Sequence, residues 1–238
     1  MSIFENTNMK DEQAKDLKTR LDSIITLAYE AVCNKIAHGL IIVDNEASFQ
    51  LQLGALLKDI GEIYVYNSNE HFNIMLEHTF LLEEETRKCP TKKARCDVFI
   101  ELYNGDKEEA KKLGDDLYIA AIIELKYFKK ENLREPNNRY DFFADLENLE
   151  QYKRQGKSQL NYIIVGTDHA HYFDKNAKPL NEATADFNFR ENTSYIAQTE
   201  LQYKTDNPYG TPIKLQYGYT FKWDIFSDKL AFMKLDIV

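Results

Sequence analysis

The segment Tyr118–Lys130, YIAAIIELKYFKK, decides how the chain is read. Its first half is apolar or aromatic at every position, as a strand covered on both faces must be, and its second half sets Glu124 and Lys126 two positions apart. In a strand, residues two apart share a face and lie roughly 6.6 Å from each other, so the acid and the base point the same way while Leu125 points into the core.

Working outward, RCDVFIELY reads as a strand with Val98, Ile100 and Leu102 on one face and Asp97, Phe99 and Glu101 on the other. On a neighbouring strand, roughly 4.8 Å away, Asp97 would face Glu124 across the sheet. NGDKEEAKKLGDD between these strands is a charged loop or short helix, and EIYVY and FNIMLEHTFLL before them read as further strands. After YIAAIIELKYFKK comes a helix from about Tyr140 to Gln155, with Phe142, Phe143, Leu146, Leu149 and Tyr152 inward, and then the strand LNYIIVGT. A helix leading to a strand is a crossover, which predicts an α/β fold with a mixed sheet and helices packed on it.

Two helices precede this core. From Asp11 to His38, Leu17, Leu21, Ile24, Ile25, Leu27, Ala28, Ala31 and Ile36 recur at three- and four-residue spacing, and Gly39 would end the helix. DNEASFQLQLGALLKDIG opens with Asp44 or Asn45 as cap, buries Phe49, Leu53, Leu56 and Leu57, and would close at Gly61. The last third is rich in Tyr, Phe and Thr with turn signals NPYGTP and FSDK, predicting more strands and a final hairpin of YTFKWDIF and LAFMKLDI. The 238 residues then form a single domain: an N-terminal helical extension (1–40), a core (44–168) and a C-terminal β-rich extension (169–238).

The hydrophobic share of 43% beside 29% charged residues is that of a folded globular chain. No apolar run approaches the roughly 20 residues of a membrane span, and the polar start has no signal-peptide core, so a cytoplasmic protein without a membrane partner is expected. Cys33, Cys89 and Cys96 lack metal-ligand or disulfide spacing, and His169 and His171 have no third partner suitably placed. The net charge of −9 excludes broad attraction to nucleic acid but not a local basic cleft. Arg87, Lys88, Lys92, Lys93 and Arg95 cluster in RKCPTKKAR, Lys129 and Lys130 in KYFKK, and Lys153, Arg154 and Lys157 in KRQGK. No Walker loop, nucleophile elbow or dinucleotide fingerprint is present, which leaves ATP use, serine hydrolysis and redox chemistry without support.

Two carboxylates beside an ammonium suit Mg²⁺, which takes hard oxygen ligands, one or two of them carboxylates, and fills its remaining positions with water and phosphate. Asp97 followed one strand later by Glu124-Leu125-Lys126 resembles the PD-(D/E)XK nuclease superfamily, the restriction-endonuclease-like fold. The resemblance covers residues 44 to 168, with Cys96 standing where that family has a proline. It implies a DNA endonuclease hydrolysing phosphodiester bonds with Mg²⁺ or Mn²⁺: Asp97 and Glu124 as metal ligands, Lys126 positioning or activating water, and Glu46 on the preceding helix joining the metal site. Glu46 also prolongs the buried stripe of Phe49 and Leu53 toward the sheet. On the crossover helix either Gln151 or Lys153 would support the site, and Lys92, Lys93, Arg95, Lys129 and Lys130 would meet the nucleic acid. Cutting both strands implies a homodimer, by the same resemblance. The alternatives are an RNA-directed nuclease, or a non-catalytic relative serving as a binding or regulatory module, for which "ELK" is a rim ion pair.

Overall fold

A computed structural model describes residues 3–114 and 117–237. In chain order the elements are α1 (Ile3–Ala37), α2 (Glu46–Ile63), β1 (Glu70–Leu81), β2 (Lys93–Asn104), α3 (Lys107–Leu113), β3 (Tyr118–Phe128), α4 (Glu135–Arg154), β4 (Leu160–Thr167) and α5 (Ala170–Phe173). Four two-residue strands follow, β5 (Ser194–Tyr195), β6 (Glu200–Leu201), β7 (Ile213–Lys214) and β8 (Tyr219–Thr220), and then β9 (Asp224–Ser227) and β10 (Leu230–Asp236).

Six strands form one sheet in the order β1-β2-β3-β4-β10-β9. The β3–β4 pair is parallel, joined through α4, and the other four pairings are antiparallel. The sheet is therefore mixed and flanked by helices, as the order of sequence patterns predicts. The apolar run of β3 lies in the middle of it. Ile119, Ala121, Ile123 and Leu125 pack with Val98, Ile100 and Leu102 against Leu21, Ile24, Ile25 and Ala28 of α1 and Phe49, Leu53 and Leu57 of α2. On the opposite face, Ala120, Ile122, Phe99, Ile163 and Val165 meet Phe142, Phe143, Leu146 and Leu149 of α4 and the aromatic residues Phe187, Phe189, Phe221 and Trp223.

Several expectations need correcting. The segment EIYVY forms no strand: Glu62 and Ile63 complete α2, and residues 64–66 lead out of it. Gly61 does not end α2 but admits the ring of Phe72, with which a Cβ at that position would collide. In α1, Leu27 faces solvent, and Tyr29, Val32 and Cys33 are buried instead. The helix begins before Asp11, and α1, read from the sequence as an extension, covers the sheet directly. The helix α4 starts at Glu135, five residues before the apolar pattern, because Pro136 in its first turn supplies the fixed φ that helix entry needs. Of YTFKWDIF only Asp224–Ser227 pairs with β10, while Tyr219–Thr220 joins the separate β5–β8 ladder. His169 and His171 lie not on a strand but at the start of α5, His169 as its cap.

The cap of α2 is Asn45, whose side chain accepts from the backbone of Ser48 while the Ser48 hydroxyl accepts from the backbone of Asn45. This box fixes the helix start one residue before Glu46 and so fixes where Glu46 stands. The helix is held down by Phe49, fully buried, with its ring 5.5 Å from that of Tyr127 and 6.2 Å from that of Phe232. Phe49→Ala is expected to cost about 3–5 kcal/mol, read as a lowered urea midpoint, whereas Leu51→Ala on the exposed face of the same helix stays within about 0.5 kcal/mol.

Candidate active site

The paired register of β2 and β3 ends at Val98↔Ile123. One step further along, the strands part, and the N–H of Leu125 is taken by the Asp97 carboxylate, Oδ2 accepting at 2.6 Å. On the other side of β2, the β1 ladder is interrupted for one opposed pair, Glu77 and Asp97, between Leu76↔Val98 and His78↔Cys96, with the register unchanged, and Glu77 adopts a left-handed φ of 53°. Gln50 of α2 spans this gap, its Nε2 donating both to Glu77 Oε1 at 2.9 Å and to the backbone oxygen of Asp97 at 2.7 Å.

Into the opening between the strands project Asp97, Glu124 and Lys126, with Glu46 at the rim and Asp145 of α4 opposite. Lys126 Nζ lies 3.0 Å from Asp145 Oδ2 and 3.6 Å from Glu46 Oε2, and donates to the Leu125 carbonyl at 2.8 Å. Lys88, from the loop between β1 and β2, contacts Asp145 Oδ1. Glu124 is 6% exposed, and no described residue donates a hydrogen bond to its carboxylate. These groups line a cleft of about 330 Å³.

Burial pushes the Glu124 carboxyl well above the ordinary carboxylate range, and the charges of Asp145 and Asp97 push it further. Asp97 and Glu46 are also raised, burial again being the larger cause. Burial acts to lower Lys126, but Asp145, Glu46, Asp97 and Glu124 together leave it raised, so it carries its charge. Asp145 moves the other way: burial would raise it, yet Lys126 and Lys88 hold it below its ordinary value.

The four sequence-predicted residues Glu46, Asp97, Glu124 and Lys126 are brought together. The supporting residues on α4 are not those expected. Gln151 accepts from Arg154 on the outer side of the helix, and Lys153 donates to the Ile237 carbonyl at 3.0 Å, in a different cleft lined by Lys18 and Asp236. At 100° per residue, Asn148 and Tyr152 lie within about 60° of Asp145 around the helix, and both line the cleft. Asp145 interrupts the apolar stripe between Phe142 and Leu149, a local sign that a polar side chain is needed inward. Of the basic residues, Lys93 and Arg95 reach the cleft, Arg95 pairing with Glu77 at 3.1 Å. Lys92 donates instead to the Glu83 carbonyl and Lys129 pairs with Glu131, and neither they nor Lys130 line the cleft.

Among the described residues no group of three or more His, Cys, Asp and Glu side chains is arranged to hold a metal ion unaided. A cation here would lean on one or two carboxylates and keep most of its water, which is the habit of Mg²⁺. The donor set fits that case. Glu124 has no internal hydrogen-bond partner, Asn148 Oδ1 is buried without a hydrogen bond, and the four carboxyl groups outnumber the two inner ammoniums. Compared with family models, curated proteins and solved structures, the chain matches none of them, so geometry alone has to carry the function. No described helix is long and apolar enough to cross a membrane.

A carboxyl with a raised folded pKa binds its proton more tightly folded than unfolded. Below the ordinary carboxylate pKa both states are protonated and no stability is lost, whereas stability falls as pH rises from there through the raised folded value. Glu124→Gln is therefore expected to raise the melting temperature of the metal-free protein at pH 7, by about 2–4 °C for each kcal/mol relieved, and to make little difference at pH 4. An unchanged or lower melting temperature at pH 7 would show that Glu124 is internally satisfied.

Proposed function

We propose that the chain is a metal-dependent nuclease of the PD-(D/E)XK type, with a restriction-endonuclease-like core, that hydrolyses phosphodiester bonds of DNA. The single observation that carries this reading is Glu124: a buried carboxylate without a hydrogen-bond donor, next to Asp97 and two residues from a charged lysine, on the central strand of a mixed sheet. An ordinary rim ion pair would be exposed and would leave the protein indifferent to its removal. Here the cost of keeping the acid is borne in the core, as at sites where charge is held for chemistry.

Asp97 and Glu124 would hold Mg²⁺, or Mn²⁺ in its place, with Glu46 at the rim. When bound, the ion supplies Lewis-acid polarisation of a phosphate oxygen and a more acidic water. Lys126 is an ammonium and so acts as a donor: it orients the oxygen of an attacking water and faces the negative charge that grows on the phosphoryl oxygens. Asp145 holds Lys126 in place from the opposite helix, at 3.0 Å, and keeps its proton on it. Asp97 cannot swing away, because its other task is to cap the Leu125 N–H. Lys93 and Arg95 at the rim place positive charge where a phosphate backbone would enter, which a chain of net charge −9 does not offer elsewhere by bulk attraction.

The test is incubation of supercoiled plasmid, linear duplex and RNA with the protein in Mg²⁺, Mn²⁺ or EDTA. Cleavage of DNA in either metal is expected, abolished by EDTA and reduced about 10²-fold or more in Glu124→Ala and in Lys126→Ala. Cleavage of RNA alone would reassign the substrate. Cleavage of neither, with no heat of metal binding, would replace the enzyme by a non-catalytic binding module.

A further inference from the structure

The cleft that holds Glu124 does not end at Lys126. A second lobe of about 380 Å³, lined by Asn132, Arg134 and Asn138, adjoins it, and the two lobes share Glu46, Lys126, Asp145 and Lys88. Lys88 thus stands at the junction, between the acidic centre and the open part of the groove.

Its attachment is unlike that of the other lysine. Lys126 is held by two carboxylates and a carbonyl, with 13% of its side chain exposed. The Lys88 side chain is 40% exposed, and Asp145 Oδ1 is its one ion-pair partner among the described residues. The backbone under it is fixed. Arg87 donates to Glu147, to the Tyr140 hydroxyl and to the carbonyls of Thr211 and Pro212, and the Gln155 side chain accepts from the N–H groups of Glu83 and Glu84. The loop therefore stays where it is, while a four-carbon stem on it is free to turn. Asp145 has one oxygen for each ammonium, Oδ1 for Lys88 and Oδ2 for Lys126.

We propose that Lys88 is an exchangeable counter-ion of this centre. In the metal-free protein its ammonium neutralises Asp145, and when a divalent cation and a phosphodiester enter, it turns outward and binds the phosphate. The identity of the phosphate as part of a nucleic acid rests on the nuclease reading. The exchange itself rests on the Lys88–Asp145 contact and on the surplus of carboxylates.

The experiment compares wild type, Lys88→Met and Lys88→Arg, after melting curves show that all three unfold cooperatively. Calorimetric titration with Mg²⁺ and with Ca²⁺, without nucleic acid, reads the first half. Lys88→Met is expected to bind the ion about tenfold more tightly, because a competing positive charge has left the site, and Lys88→Arg to stay near wild type. Binding of a short labelled DNA duplex in Ca²⁺ across a salt series reads the second half. Lys88→Met is expected to bind several-fold more weakly, with the slope of log K against log salt reduced by about one contact, and Lys88→Arg to rescue both. Metal affinity that is unchanged or weaker in Lys88→Met overturns the proposal. A gain in metal affinity with the DNA salt slope unaltered also overturns it, reducing Lys88 to a local ion pair. If wild type cuts no nucleic acid while both shifts are observed, the exchange stands and the nuclease reading falls.

Discussion

Where β2 and β3 part, one backbone N–H is left over, and the carboxylate of Asp97 takes it at 2.6 Å. A buried donor without a partner costs roughly 1–3 kcal/mol, so the strands can separate here only because a side chain closes the account of the backbone. Everything at the cleft follows from that separation. It makes room for Glu124 beneath the surface, lets Lys126 reach across to α4, and leaves Asp97 with one oxygen committed to structure and one turned to the opening. On the far side of β2, the ladder is likewise open at Glu77 and Asp97, and Gln50 donates to both residues there.

The two faces of the sheet contribute differently. Under α1 and α2 the packing is largely aliphatic, with the Phe49, Tyr127 and Phe232 rings at its edge, and it sets the height of α2 and therefore of Glu46. Under α4 it is dominated by stacked and edge-on rings, such as Phe142 on Phe189 at 4.3 Å, and it sets the rotation of α4 about its own axis. That rotation decides which polar side chains of α4 look toward β3. The acidic centre is thus positioned by two hydrophobic layers that do not touch each other, with β3 as their common wall.

This division explains what could be read in the sequence. Strand β3 is legible because a fully buried strand leaves a continuous apolar run, and Glu124 and Lys126 stand out against it. Asp97 is legible through the alternation of β2, and Glu46 through the stripe it shares with Phe49 and Leu53. Gln151 and Lys153 face away from the cleft, and local periodicity, which says which residues of a helix share a side, does not say which of two polar flanks meets the sheet. Asp145 stands within the apolar stripe, which marks it as inward, but only the docking of α4 brings it to Lys126. Lys88 sits in a loop whose path is set by Arg87 reaching residues more than 120 positions away, a contact no local pattern reports. EIYVY failed for a simpler reason, since five residues alternating in polarity continue a helix as readily as they begin a strand.

The pairing of β4 with β10 has a consequence for how the protein is made. Strand β4 ends at Thr167, but the strand that covers its outer edge begins at Leu230. During synthesis at roughly 5–20 residues per second, the ribosome therefore needs several seconds or more between exposing one and supplying the other. Through that interval Tyr162, Ile163, Ile164 and Val165 present an apolar, unpaired edge to the surrounding solution, the kind of edge on which chains join wrongly. The aromatic residues from Phe187 to Trp223 are translated in the meantime and can settle on α4 first, so the growing chain has a means of shielding its own sheet before its last strand arrives.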